Sequence, residues 1–169
     1  MNNFTKTVVM NWDYFLALAE DLEKLQRYLA FDNMGERGNY KSWSIELIRL
    51  LLDSCSAIDN VAKLICKKLQ PDYGGLTNIC WYKDVLMERF PKIAEEKVHF
   101  PRYFLEFVPW KTWENSDDSP AWWRAYNDVK HDRSKNYYKA TLENVLGAIS
   151  GLLVILFYYS KVELSIEEG

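Results

Sequence analysis

N-V-L-G-A-I-S-G-L-L-V-I-L-F-Y-Y-S, residues 144–160, carries no charged side chain, and its reading decides between a membrane protein and a helical core. A helical membrane span takes about 20 apolar residues. This run is slightly shorter, is bounded by Glu143 and Lys161, and includes Gly147, Ser150 and Gly151. No second run of this kind occurs in the chain. It therefore reads as the buried central helix of an all-α fold, over about residues 137–162, with no membrane partner. Gly147 and Gly151 form G-x-x-x-G, a spacing that lets another backbone approach closely in a core crossing as well as in a membrane pair.

The remaining periodicity supplies the helices that surround it. Phe15, Leu18, Leu22, Leu25 and Leu29 recur at helical spacing, with Glu20, Asp21, Glu23, Lys24 and Arg27 between them, which predicts an amphipathic helix over about residues 10–31. The turn-forming stretch D-N-M-G-E-R-G-N ends it. Ser42 is a suitable N-cap, with Glu46 near the capping-box position, for a second helix reaching about Leu69. There Leu47, Leu51, Ser54, Ile58, Val61 and Ile65 form one stripe, and Ile48, Leu52, Cys55, Ala62 and Cys66 an adjoining one. So wide an apolar surface predicts contact with more than one neighbour. Thr77 or Asn78 caps a shorter helix that Pro91 stops after Phe90.

Periodicity fails between Lys97 and Asp118, where Pro101 and Pro109 punctuate a run of Phe100, Tyr103, Phe104, Phe107, Trp110 and Trp113. Long irregular segments inside compact domains are uncommon and often functional. The segment reads either as a plug over the open end of a bundle or as an aromatic platform for bases or a partner; the burial preference of large aromatics favours the plug. The tail S-I-E-E-G is expected to fray. Together these patterns predict one all-α domain over residues 1–169, an antiparallel bundle of about five helices with a long aromatic-rich loop before the penultimate helix.

Composition agrees with a globular domain. Of 169 residues, 49% are hydrophobic and 27% charged, and a chain of this length buries about 70% of its unfolded surface without disulfides or metals. The 15% aromatic content points to a heavily packed core or a large interface. Cys55, Cys66 and Cys80 are odd in number and contain no C-x-x-C pair, so they read as reduced core residues of a cytoplasmic protein. The N-terminal stretch lacks the apolar region and cleavage site of a signal peptide. With only His99 and His131 and no clustered ligand spacing, no metal site is expected. Phosphate-cradling glycine loops and nucleophile elbows are absent as well.

Chemistry concentrates in S-P-A-W-W-R-A-Y-N-D-V-K-H-D-R-S-K, residues 119–135. Ser119 as N-cap and Pro120 at the first helical position open a helix. At about 100° per residue, Trp122, Ala125, Tyr126 and Val129 share one side with Trp123 on its flank. Arg124, Asn127, Asp128, His131 and Lys135 line the other. Arg124 and His131, almost two full turns apart, project from one stripe with Asn127 and Asp128 between them. An always-charged guanidinium fork and an imidazole that titrates near neutrality suit a phosphate. The protein's net charge is −3, which argues against nucleic-acid binding over its whole surface. In the window 120–139, however, Arg124, Lys130, Arg133, Lys135 and Lys139 oppose only Asp128 and Asp132, for a net +3 with His131 neutral. A polyanion would meet the protein here.

R-A-Y-N-D-V-K-H, residues 124–131, preceded by tryptophans and followed by Asp132 and Arg133, resembles the R-x4-6-H signature of the HEPN superfamily of small helical proteins. The resemblance covers this helix, and the rest of the chain matches only as a helix pattern. It implies a homodimer in which two Arg/His pairs meet. In active members it implies a metal-independent endoribonuclease without cofactor, often of a toxin–antitoxin or phage-defence system, acting on RNA and paired with an antitoxin or another partner protein. On this resemblance His131 acts as general base or acid at a 2′-hydroxyl or leaving oxygen, Arg124 neutralises the phosphate, and Asn127 orients the phosphate or the histidine. Lys130, Arg133, Lys135 and Asp128 are candidate substrate-binding residues. Ala125 follows the arginine where many active members carry Asn, Asp or His, and Asn127 offers a polar group from the same stripe. Glu46, Arg49, Asp53 and Asp59 are also of interest, because active members often place an acidic residue of that helix near the signature pair. The alternative function is a non-catalytic dimeric module that uses the same surface to bind nucleic acid or a protein partner.

Overall fold

In the computed structural model, which describes residues 3–32, 38–115 and 118–167, the uncharged run lies within the last helix, α6 (Leu142–Glu167). Most of the D-N-M-G-E-R-G-N turn and the end of the S-I-E-E-G tail fall outside the described residues. From Leu142 to Leu156 only Glu143, Asn144 and Leu153 are partly exposed, and the rest are buried. Leu142–Ser165 is long and apolar enough to cross a membrane, and 78% of its most apolar stretch is buried inside the protein.

Three helices lie against α6: α1 (Asn3–Leu25), α2 (Ile45–Leu69) and α4 (Ala121–His131). The wide apolar surface of α2 meets α1, α3 (Ile79–Arg89), α4 and α6, which is why residues on most sides of it, from Leu47 to Cys66, are buried. Between α3 and α4 run two three-residue strands, β1 (Val98–Phe100) and β2 (Leu105–Phe107), paired antiparallel with Val98 opposite Phe107. The fold is mainly helical with one small two-stranded sheet.

Several boundaries differ from those the periodicity predicts. α1 begins earlier and ends at Leu25, where it passes into tight turns; these let Phe31 fold into the core against Tyr103, with ring centroids 4.9 Å apart. The cap of α2 is Ser44, whose Oγ accepts from the Leu47 N–H at 3.1 Å, and not Ser42. Asn78 caps α3 through the Trp81 N–H. α6 starts after Thr141, whose Oγ1 accepts from the Asn144 N–H, so residues 137–139 form a separate 3₁₀ turn.

The segment expected to be irregular holds the β1–β2 pair and then sends its tryptophans inward. Trp110 and Trp113 are buried with ring centroids 4.2 Å apart, and the Trp110 Nε1–H donates to the Gly151 carbonyl at 3.3 Å. Burial of these rings favours the plug over the open platform. Phe104 is the exception, 97% exposed in a left-handed conformation with φ 54° at the tip of the pair.

The cysteines divide unlike the expectation. Cys55 and Cys66 are buried and Cys80 is exposed, and all three are free thiols. Burial raises the Cys55 thiol well above its ordinary value and pushes Cys66 up to about 12, so neither forms thiolate at neutral pH. In the folded protein a maleimide should label one cysteine, Cys80, with the other two reacting only in denaturant. Rapid native labelling of two or more, read by mass spectrometry, would contradict this core.

Three buried phenols set an alkaline limit. Burial raises Tyr82, Tyr158 and Tyr159, and the Asp59, Glu96 and Glu163 carboxylates beside them raise them further; Tyr159 reaches about 12. A phenol with a raised folded-state value stabilises the fold while protonated. That contribution is complete below the ordinary tyrosine value of 10.0 and is lost as pH rises toward the folded value. Melting temperature should fall steadily across that window, in step with phenolate absorbance. A melting temperature that stays flat while the phenolates form would refute the effect.

Candidate functional site

Trp122 sets the geometry of α4. The two α6 glycines face its indole: a β-carbon at Gly147 would lie 2.7 Å from Trp122 Cδ1, and one at Gly151 would lie 2.9 Å from Cζ2. What the G-x-x-x-G admits is therefore a tryptophan side chain, not the neighbouring backbone that the motif predicts. A ring presses into the slot because the whole indole can be buried there while its Nε1–H donates to the Pro109 carbonyl at 3.1 Å. Trp110 stands edge-on to it at 5.0 Å and 81°. α4 is thus held at a fixed rotation.

The two faces of α4 fall as their spacing predicts. Trp122, Trp123, Ala125, Tyr126 and Val129 are buried, Arg124 and His131 are exposed, and Asn127 and Asp128 are partly exposed. The ends differ. Pro120 occupies the N-cap position without a side-chain cap, and the Ser119 backbone carbonyl accepts from Arg124 Nη1. The helix stops at His131, because Asp132 leaves the helical conformation (φ −144°, ψ 81°) and Asn136 Nδ2 donates to the Asp128 and Asp132 carbonyls at 3.1 and 3.0 Å. Lys135 accordingly lies not on the Arg124 helix but on the single turn α5 (Arg133–Asn136).

Arg124, Ala125 and Asp128 line a surface groove of about 550 Å³. Lys41, Trp43, Tyr138, Lys139 and the start of α6 complete it. Lys139 Nζ pairs with Asp128 Oδ2 at 2.7 Å, and Asp128 raises the lysine above its ordinary value. Asn127 and His131 are not among the lining residues. They project beside the groove, on the stripe that continues from Arg124 toward the C-terminal end of α4. Lys130 lies over the Tyr126 ring at 5.3 Å. Lys135 pairs with Asp132 at 3.1 Å, and Asp132 is held below the usual carboxylate range first by the Ser134 hydroxyl and then by Lys135. Arg133 is exposed next to them.

The charged residues of α2 do not join this groove. Arg49 bonds Glu46, Asp53 at 3.2 Å and Asp21 of α1 at 2.6 Å, tying the first two helices together. Asp59 accepts from the Tyr82 hydroxyl at 2.8 Å. Among the described residues, no group of three His, Cys, Asp or Glu side chains is placed to hold a metal ion.

Lys41, Trp43 and Tyr138 are among the groove residues that sequence reasoning missed. Lys41 and Trp43 precede the α2 cap, and no periodic pattern marks either; they reach the site because their strand of backbone docks on the start of α6. The chain matches no family model, no curated protein and no solved structure.

Proposed function

We propose that this protein is a HEPN-like, metal-independent endoribonuclease that acts as a cytoplasmic homodimer within an antiparallel helical bundle, in a toxin–antitoxin or phage-defence setting. The observation that carries the reading is the division of α4: Trp122 anchors one side in the glycine slot, while Arg124 and His131 stay exposed on the other. A rigid helix that presents an arginine and a histidine on one polar stripe supplies both groups that RNA transesterification needs. His131 removes a proton from the 2′-hydroxyl or returns one to the leaving 5′-oxygen. Arg124, exposed at the surface with a guanidinium that carries five N–H donors, offsets the charge that builds on phosphorus. The substrate brings its own nucleophile, so the residues need only move protons and stabilise charge. A second copy across a two-fold axis would add a second Arg/His pair, which suits the two proton transfers.

Incubating the purified protein with mixed RNA in a chelator tests this. The expected products carry 2′,3′-cyclic phosphate and 5′-hydroxyl ends, and RNA that stays intact overturns the reading. A second reading, a non-catalytic module binding nucleic acid or a partner through the same groove, draws support from Ala125. It puts a methyl in the groove lining where a polar group would assist catalysis. Binding of RNA without any cleavage would favour that module.

A further inference from the structure

We infer that Trp43 is a stacking platform for one unpaired nucleobase, set in the lining of the groove in which Arg124 would hold the adjoining phosphate. This rests on the reading of the groove as an RNA site and assigns a role outside the signature helix. Trp110, Trp113, Trp122 and Trp123 are all at most 5% exposed, whereas Trp43 is 49% exposed, unusual for the largest apolar side chain. Its backbone is nevertheless fixed. Trp43 and Thr141 form an antiparallel bridge, the Leu142 N–H donates to the Ser42 carbonyl at 2.9 Å, and the Glu143 N–H donates to the Tyr40 carbonyl at 3.1 Å. These bonds satisfy amides at the start of α6 that have no partner within the helix.

The ring is pre-set as well. Tyr137 stacks on Trp43 at 5.6 Å and 21°, which supports one side of the indole, while Tyr138, 56% exposed, lines the groove with it. Arg124, Lys41 and Lys139 line the same groove. Lys41 pairs with Glu143 at 2.6 Å and Lys139 with Asp128 at 2.7 Å. The Lys41 pair is exposed and the Lys139 pair half-buried; surface pairs of this kind are weak, so their ammonium groups can turn to a phosphate. An indole face next to surface cations is the arrangement that binds single-stranded nucleic acid, where every base has a π-face to offer. A base inside a duplex keeps its faces covered, so the platform selects unpaired RNA.

The test measures binding by fluorescence anisotropy in the His131→Ala background, in which turnover should be slowed about 10²–10⁴-fold. The probes are a short single-stranded oligouridylate, a duplex of the same length and a base-free ribose-phosphate oligomer. Trp43→Ala should weaken oligouridylate binding about 5- to 150-fold, with the salt dependence unchanged because the phosphate contacts remain. Binding of the base-free oligomer should not change, and Trp43→Phe should restore most of the loss. Tyr138→Ala, in an exposed ring outside the core, should give a smaller loss and guards against a folding defect in Trp43→Ala. If the parent binds oligouridylate and both alanine variants bind it equally well, the platform is wrong and the nuclease reading stands. If Trp43→Ala changes the dimer and not RNA affinity, the ring is a protein interface and the inference falls. If the parent binds no RNA and the wild type cleaves none, the nuclease reading itself fails.

Discussion

His131→Ala should cleave RNA about 10²–10⁴-fold more slowly than the wild type, the usual contribution of a general acid–base group, while its melting temperature stays unchanged. The stability half of this expectation follows from burial. His131 is exposed at the last residue of α4, so truncation opens no cavity, and exposed substitutions of this kind stay within about 0.5 kcal/mol. Arg124→Ala should lose activity to a similar extent and leave stability nearly unchanged, because its hydrogen bond to the Ser119 carbonyl is exposed and water can replace it. The two kinds of loss are separable. A residue that only attracts RNA raises KM in a salt-dependent way, whereas a proton-transfer residue lowers kcat at saturating RNA. Rates measured in a chelator, with melts by circular dichroism, decide the matter. His131→Ala cleaving as fast as wild type would end the nuclease reading. An unfolded His131→Ala would show that the side chain supports the fold.

Gly151→Leu should destabilise the protein by about 3 kcal/mol, the upper end of the usual overpacking cost, and lower the melting temperature by about 6–12 °C for a chain of this size. In an open helix position the same change would instead gain up to about 1 kcal/mol from helix propensity. The sign is decided by Trp122: the first added carbon would already lie 2.9 Å from Cζ2 and 3.1 Å from Cη2. The indole cannot swing away without breaking its bond to Pro109 and its packing against Trp110. Gly147→Leu should behave alike, with the overlap at Cδ1. Pairing Gly151→Leu with Trp122→Ala should cost less than the two changes summed, since the leucine would occupy space the ring vacates. A melting curve for Gly151→Leu that matches the wild type would mean the slot holds no ring.

How much of this was legible in the sequence depends on how local the signal is. The uncharged 144–160 run, the stripes of α2 and the two faces of α4 could all be read, since a side chain's position around a helix follows from spacing alone. The same reasoning separates Trp122 and Tyr126 from Arg124 and His131 before any neighbour is known. Ends were less legible. Ser42 and Ser44 are equally good caps by composition, and the choice falls to Ser44 because residues 40–43 are drawn off to pair with the start of α6. That pairing links segments about a hundred residues apart, and no short-range pattern announces it.

The sequence by itself determined a mainly helical chain with an apolar central helix and an Arg/His stripe opposite a tryptophan face, because helical periodicity is set by backbone geometry. Only the tertiary structure decided what fills the glycine slot, which α2 charges are consumed by Arg49, and which aromatics stand beside Arg124. A G-x-x-x-G says that something comes close without saying what, and Trp122 occupies it because α4 crosses there. Trp43 is one of seven tryptophans and nothing in its immediate neighbours marks it. It shares a groove with Arg124 because backbone hydrogen bonds carry its segment to the start of α6, a proximity made in space and not along the chain.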